Sequence, residues 1–449
     1  MKPMDYGPFI FERYEYRPKT GILHLHYRFE NGPVFEERIA FPPSEHTMSP
    51  NDHAALDASF RLVFLLAGTS YYKAYAPEHL KCAAFALDEE TAAFIEKVYR
   101  KGLAEFAWRN KLDLSSRVRF ASESIPPRKA SPLALPRRSL VPVGGGKDSI
   151  VTLECLKESG EPLTLFALGA ASGIAEPIEA TIATSGLPAI RVKRMLSPNL
   201  MDLNKQGALN GHIPITAILS GIAVAASILH GFDAVILSNE HSASAPNLRL
   251  NELEINHQYS KSFDFETDFS KYVAGHIAPD IRYFSLLRPC SEAEIARRFA
   301  RYTQYHPVFR SCNKAFKQDT AARHKIWCCD CPKCRFVFLA LAPFMKKEHL
   351  TGIFGKNLLA DPAQTEGFAE LCGLTAHKPF ECVGETGESA LLMEKLYQTD
   401  AWKDDAVVKD LGAKLHQPQD FEQLYEALFA MHNDHHVPEK YLGMLDACR

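Results

Sequence analysis

No surplus of basic residues marks this chain: 51 Lys and Arg face 54 Asp and Glu, a formal net charge of −3. A protein that grips nucleic acid through its phosphates ordinarily carries a basic excess, so bulk charge argues against such a partner and leaves only a local patch open. Residues 1–20 lack a basic start followed by an apolar segment, which argues against a secretory signal. The run Ile213–Leu229 holds no charged residue, but it is 17 residues long, contains Pro214 near its start and is rich in Ala, Ser and Gly. It leads into the strand-like Ala234-Val235-Ile236-Leu237, so it reads as a buried helix of an α/β domain rather than a membrane span. Neither a Walker A loop nor a GxGxxG fingerprint occurs. The eleven cysteines lack the even count of a disulfide scaffold, and four of them fall between 328 and 334. That usage predicts a reducing, cytoplasmic setting and a metal site rather than cross-links.

What is present is 449 residues of ordinary soluble composition, 46% hydrophobic and 23% charged, enough for two or three domains. Its most informative stretch is Gly144-Gly145-Gly146-Lys147-Asp148-Ser149. An apolar run, Leu140-Val141-Pro142-Val143, precedes it, and residues of helical apolar spacing follow. Strand, glycine turn and helix in that order bring backbone N–H groups to an anion at the positive end of the helix. Lys147 adds charge, Asp148 suits a divalent cation, and Ser149 can cap the helix or bond a phosphate oxygen. The plain alternative is a structural glycine turn. The stretch resembles the SGGxDS signature of the PP-loop ATP pyrophosphatases, with Gly144 where the signature has Ser. That resemblance implies a fold that splits ATP into AMP and pyrophosphate, usually by adenylating a substrate oxygen.

Residues 1–120 read as an α+β domain: β-rich runs at 9–16, 22–29 and 34–41 suggest a three-stranded meander, and helices follow near 52–67 and from Asp88. Nothing there is evidently catalytic, and Gly68–Lys73 reads as a helix-end loop. Residues 121–138, with four prolines, read as a linker. Strands near 139–143, 163–168, 188–193 and 233–238, with helices between, make 139–290 a doubly wound parallel sheet. Residues 291–349 hold the cysteine cluster, and 350–449 read as a helical C-terminal region. Ligands in such sheets sit at the carboxyl ends of the strands. In the PP-loop strand order the ends of the first and last of these strands are neighbours, which puts Asn239 and Glu240 against the nucleotide or its Mg²⁺. The polar run 247–262 reads as a substrate-binding or solvated loop.

Cys312, Cys328, Cys331 and Cys334 have the makings of a closed tetrahedral Zn²⁺ site, and their spacing resembles the cluster of the nitrile-forming synthase of deazapurine biosynthesis. Several motifs taken together resemble a narrower PP-loop family. These are Val143–Ser149, Gly211–Ala217, Ser238–Ser242, Asn256–Lys261, Cys331–Phe336 and Lys378–Gly384. The family is that of the UDP-N-acetylmuramoyl-L-alanyl-L-glutamate epimerases of peptidoglycan-precursor synthesis. The resemblance implies inversion of a terminal L-glutamate with ATP and Mg²⁺, releasing AMP and pyrophosphate. Lys147 and Asp148 would then serve the adenylation, and His257, Lys261 and Cys382 are the residues whose type suits the proton transfer. A PP-loop synthase or tRNA-modifying enzyme, and a non-catalytic zinc and nucleotide scaffold, are the competing readings.

Overall fold

The computed structural model describes residues 6–114, 116–250, 253–316, 327–375, 378–415 and 420–448. Asn251 and Glu252 of the polar run lie outside them.

Ten strands form one sheet in the order β12-β9-β6-β7-β8-β3-β2-β1-β4-β5. The strands are β1 (Phe9–Arg17), β2 (Ile22–Phe29), β3 (Val34–Ala40), β4 (His79–Cys82), β5 (Arg119–Phe120), β6 (Ser139–Pro142), β7 (Leu163–Gly169), β8 (Ala189–Met195), β9 (Ala234–Leu237) and β12 (Arg282–Ser285). A separate hairpin joins β10 (Leu248–Leu250) to β11 (Leu253–Ile255). Strands β12, β9, β6, β7 and β8 run parallel. The expected meander β1–β2–β3 is antiparallel, and it joins the parallel half where β3 pairs with β8 from Arg38↔Met195 to Ala40↔Lys193. Sequence gave no sign of this junction, nor of β12, which is four residues long and opens on an arginine.

Side chains alternate between two cores, as the pleat requires. On β9, Val235 and Leu237 face the core built with helices 50–67 and 215–230, while Ala234 and Ile236 face the one built with helices 147–158 and 332–341. Helix Ile215–His230 is the uncharged run of the sequence, buried and ended by Gly231 in the left-handed conformation at φ 73°. No helix among the described residues is long and apolar enough to cross a membrane.

Two expectations fail. Thr69–Tyr72 is a short helix, not a loop, and Tyr71 and Tyr72 are fully buried against the aromatic face of the meander. One cysteine pair is cross-linked: Cys155 in helix 147–158 bonds Cys448, which follows the last helix, Glu439–Ala447. Cysteine counting could not reveal a pair 293 residues apart.

Candidate active site

Strands β6 and β9 are parallel neighbours, paired Ser139↔Ala234 and Leu140↔Val235 at their starts, so their carboxyl ends emerge on the same edge of the sheet. From β6 the chain winds through β7 and β8 to one side and through β9 and β12 to the other. The sheet therefore has its switch point between β6 and β9, where α/β sheets bind ligands.

The glycine turn leaves β6 at this point. Gly146 is the N-cap of helix Lys147–Glu158 and supplies no side-chain cap, so the first N–H groups stay available to an anion. Ser149 Oγ donates to the Gly146 carbonyl at 3.1 Å and accepts from Gly144 N at 3.4 Å. Gly145 has φ 76°, and a Cβ there would lie 3.1 Å from the Pro177 backbone. Gly144 has nothing within 4 Å of its Cβ direction. Gly145→Ala is therefore expected to cost about 1–2 kcal/mol or more from backbone handedness alone. Gly144→Ser, which restores the signature residue, should leave stability unchanged; thermal melts of both variants check this.

Lys147, Asp148, Glu240, Lys261 and Cys382 line one narrow crevice, together with Glu292, Ser311, Lys333, Phe336 and Val337. Lys147 is buried and paired with both Asp148 and Glu292. Burial alone would lower its pKa, but the two carboxylates hold it well above the ordinary lysine value. Burial pushes Glu292 up to about 8, helped by Asp148 and Glu240 and opposed by Lys147. Glu388, which accepts from Ala293 N at 2.6 Å, is pushed up by burial to about 7. Asn239 is not among the residues that line the crevice; its amide donates to Ser285 Oγ at 3.0 Å.

Three residues without a recognisable motif hold the crevice in shape. Arg288 is fully buried and donates to the Glu240 and Lys261 carbonyls, each at 2.5 Å, and to Glu266 at 2.9 Å. Asn247 accepts from His257 N at 2.9 Å and donates to the Pro379 carbonyl at 2.7 Å, tying the polar run to the loop that carries Cys382. Glu105, from helix Ala104–Arg109, is bonded to His257 Nδ1. The region taken as non-catalytic thus reaches the expected site.

Around Cys382, Lys261 Nζ lies 3.4 Å from Sγ. Burial would raise the thiol, but Lys261, then Lys333 and His257, pull it down to about 6. Burial would lower His257, but Cys382 and the Glu105 carboxylate push it up to about 9. A cavity of about 1380 Å³ adjoins this segment, with Asn256, Tyr259, Phe263, Trp108 and Arg109 in its walls. Trp108 stacks on Phe380 at 5.0 Å, and Arg109 sits over the Phe380 ring.

The sulfurs of Cys312, Cys328, Cys331 and Cys334 all lie within 4.8 Å of one another. The separations Cys328–Cys334, 3.6 Å, and Cys331–Cys334, 3.5 Å, approach the about 3.8 Å edge of a tetrahedron with Zn–S bonds near 2.3 Å. Cys329 is outside the group, with its thiol donating to the Phe354 carbonyl at 3.2 Å. Cys331 caps helix Pro332–Leu341, so the cluster anchors the helix that brings Lys333, Phe336 and Val337 to the crevice.

The family model described as the MurL N-terminal domain matches residues 1–286, and that of the MurL C-terminal domain matches 308–426. Three curated relatives carry the name UDP-N-acetyl-alpha-D-muramoyl-L-alanyl-L-glutamate epimerase. The one from Xanthomonas oryzae pv. oryzae is 42% identical over 434 residues, covering 96% of this chain and 95% of its own. That of Salinispora tropica is 44% identical over 416 residues, covering 90% and 88%. That of a Micromonospora species is 42% identical over 448 residues, covering 97% of each. The chain therefore belongs to the MurL family.

Proposed function

We propose that this chain is an ATP- and Mg²⁺-dependent epimerase. It inverts the terminal L-glutamate of UDP-MurNAc-L-Ala-L-Glu to D-glutamate through an acyl-adenylate, with release of AMP and pyrophosphate. The substrate follows from the relatives' names. The observation that carries the reading is the meeting, in one crevice, of Lys147 and Asp148 from the glycine turn with Lys261 and Cys382 from two distant loops. The first pair suits phosphoryl chemistry and the second suits proton transfer. The β6–β9 switch point supports a PP-loop architecture.

The chemical need for ATP is electrostatic. A proton on the carbon beside a free carboxylate is very weakly acidic, because its removal adds a second negative charge to the same group. Joining AMP to the α-carboxylate cancels the first charge, and pyrophosphate leaves. The open side of the glycine turn, the uncapped helix start and Lys147 suit the charge that grows on the departing phosphates. Asp148, with Glu240 in the same crevice, offers the oxygen ligands a hard cation requires, and Mg²⁺ bound there would draw charge from phosphate oxygens. Cys382, His257 and Lys261 are the groups to move the α-proton, which leaves one face and returns to the other. Hydrolysis of the anhydride restores the carboxylate. The cavity beside Trp108 exceeds the roughly 300–1,000 Å³ of common small-ligand sites, as a sugar-nucleotide peptide requires.

The test is an incubation of the chain with ATP, Mg²⁺ and UDP-MurNAc-L-Ala-L-Glu, reading AMP and the chirality of glutamate after hydrolysis. Both AMP and D-glutamate should form. AMP alone would indicate a different acceptor chemistry, and inversion without ATP would defeat the proposal.

Zinc fits the four sulfurs in a structural role. Atomic absorption should find one zinc per chain. Cys334→Ser should lower both zinc content and melting temperature, because the helix at 332–341 loses its anchor. Full stability without zinc would overturn that role.

A further inference from the structure

We propose that Glu105 is a positioning residue: it keeps His257 protonated, so that His257 and Lys261 hold Cys382 as the thiolate that takes the glutamyl α-proton. This deepens the epimerase reading and rests on it for the identity of the proton.

The geometry is a chain of contacts. Glu105 is 5% exposed and accepts from Arg109 Nε at 2.6 Å through one oxygen. Its other oxygen meets His257 Nδ1. His257 acts electrostatically on Cys382, whose sulfur lies 3.4 Å from Lys261 Nζ. Asn247 fixes the relation between the two loops from the backbone side. A carboxylate at one imidazole nitrogen favours the charged ring, and a cation at the thiol favours the thiolate. The second imidazole nearby, His212, has its ring centre 4.1 Å from that of His257, with the two planes tilted by 40°. Burial and the charge on His257 push His212 down to about 3, so His257 holds the proton of this imidazole pair.

Cys382 is surrounded by cations: His257 and Lys261 from the polar run, Lys333 from helix 332–341, and Lys378 from its own loop. Glu240 and Asp148 in turn favour the charged form of Lys261. The thiolate exists above about pH 6 and the imidazolium below about pH 9, so the pair is whole between them. In the step itself an S–H bond forms as the Cα–H bond breaks. The electron pair passes into the acyl carbonyl of the activated glutamate as an enolate.

The experiment measures iodoacetamide alkylation at Cys382 from pH 5 to 9 on the full chain, read by peptide mass spectrometry. Cys382→Ser serves as the blank. The unmodified chain should show a midpoint near 6. Glu105→Gln, nearly identical in shape, should raise the midpoint by roughly 1–2 units. Glu105→Asp should restore part of the shift, which a merely structural role would not do. If Glu105→Gln does not fold, His257→Gln should give the same displacement. A wild-type midpoint at an ordinary thiol value, or one unmoved in the Gln variants, overturns the proposal. The assay contains neither ATP nor substrate, so its outcome is separate from that of the incubation above.

Discussion

Asp148→Ala is expected to abolish AMP formation while leaving the melting temperature close to that of the unmodified chain. The side chain begins helix 147–158 at the open end of the crevice and is 34% exposed, so little of its surface is committed to packing. Its partner Lys147 keeps its second and more deeply buried counter-charge, Glu292, at 6% exposure. Loss of Asp148 also removes a carboxylate that raises Glu292, which favours the charged form of Glu292 beside Lys147. What goes is the carboxylate proposed to hold Mg²⁺. Losing one preorganised electrostatic contact to a transition state costs roughly 10²–10³ in rate, and losing the metal it binds costs more. AMP release in single turnovers, set beside a thermal melt, separates the two effects. A rate within a few-fold of the original would remove Asp148 from the chemistry.

Arg288→Met should have the largest effect on stability. The guanidinium is wholly buried, and the change leaves the Glu266 carboxylate, 1% exposed, without its cation. Removing one partner of a buried pair costs about 3–5 kcal/mol, a large share of the stability of an ordinary domain. The Glu240 and Lys261 carbonyls also lose their donor, so the crevice loses two supports at once. The double variant Arg288→Met, Glu266→Gln should recover part of the loss, because no buried charge remains. Denaturant titration of the three chains measures this. Equal stability of the single variant and the parent would contradict the assigned role.

Sequence made some parts of this site legible and hid others for physical reasons. Glycine turns, helix caps and close cysteine spacing are local signals. They located the turn at Gly144, the cap at Asp88 and the four sulfurs that gather. The parallel strands β6 to β9 showed as short apolar runs between helical stretches. The residues that support the crevice carry no such signal. Arg288 contacts residues 48, 27 and 22 positions away, and Glu105 meets His257 across 152. Each is an ordinary charged residue until the fold buries it. The β3–β8 pairing was hidden likewise, because it joins strands that read as belonging to separate domains.

The central claim is that the α-carboxylate of the peptide is joined to AMP before the proton moves. Substrate carrying ¹⁸O in that carboxylate, turned over with ATP and Mg²⁺, tests it most directly through the mass of the AMP and the chirality of the glutamate. Water adds at the acyl carbon and breaks the acyl C–O bond, so one ¹⁸O should be delivered to AMP for each activated carboxylate, alongside D-glutamate. Inverted glutamate accompanied by unlabelled AMP would contradict it.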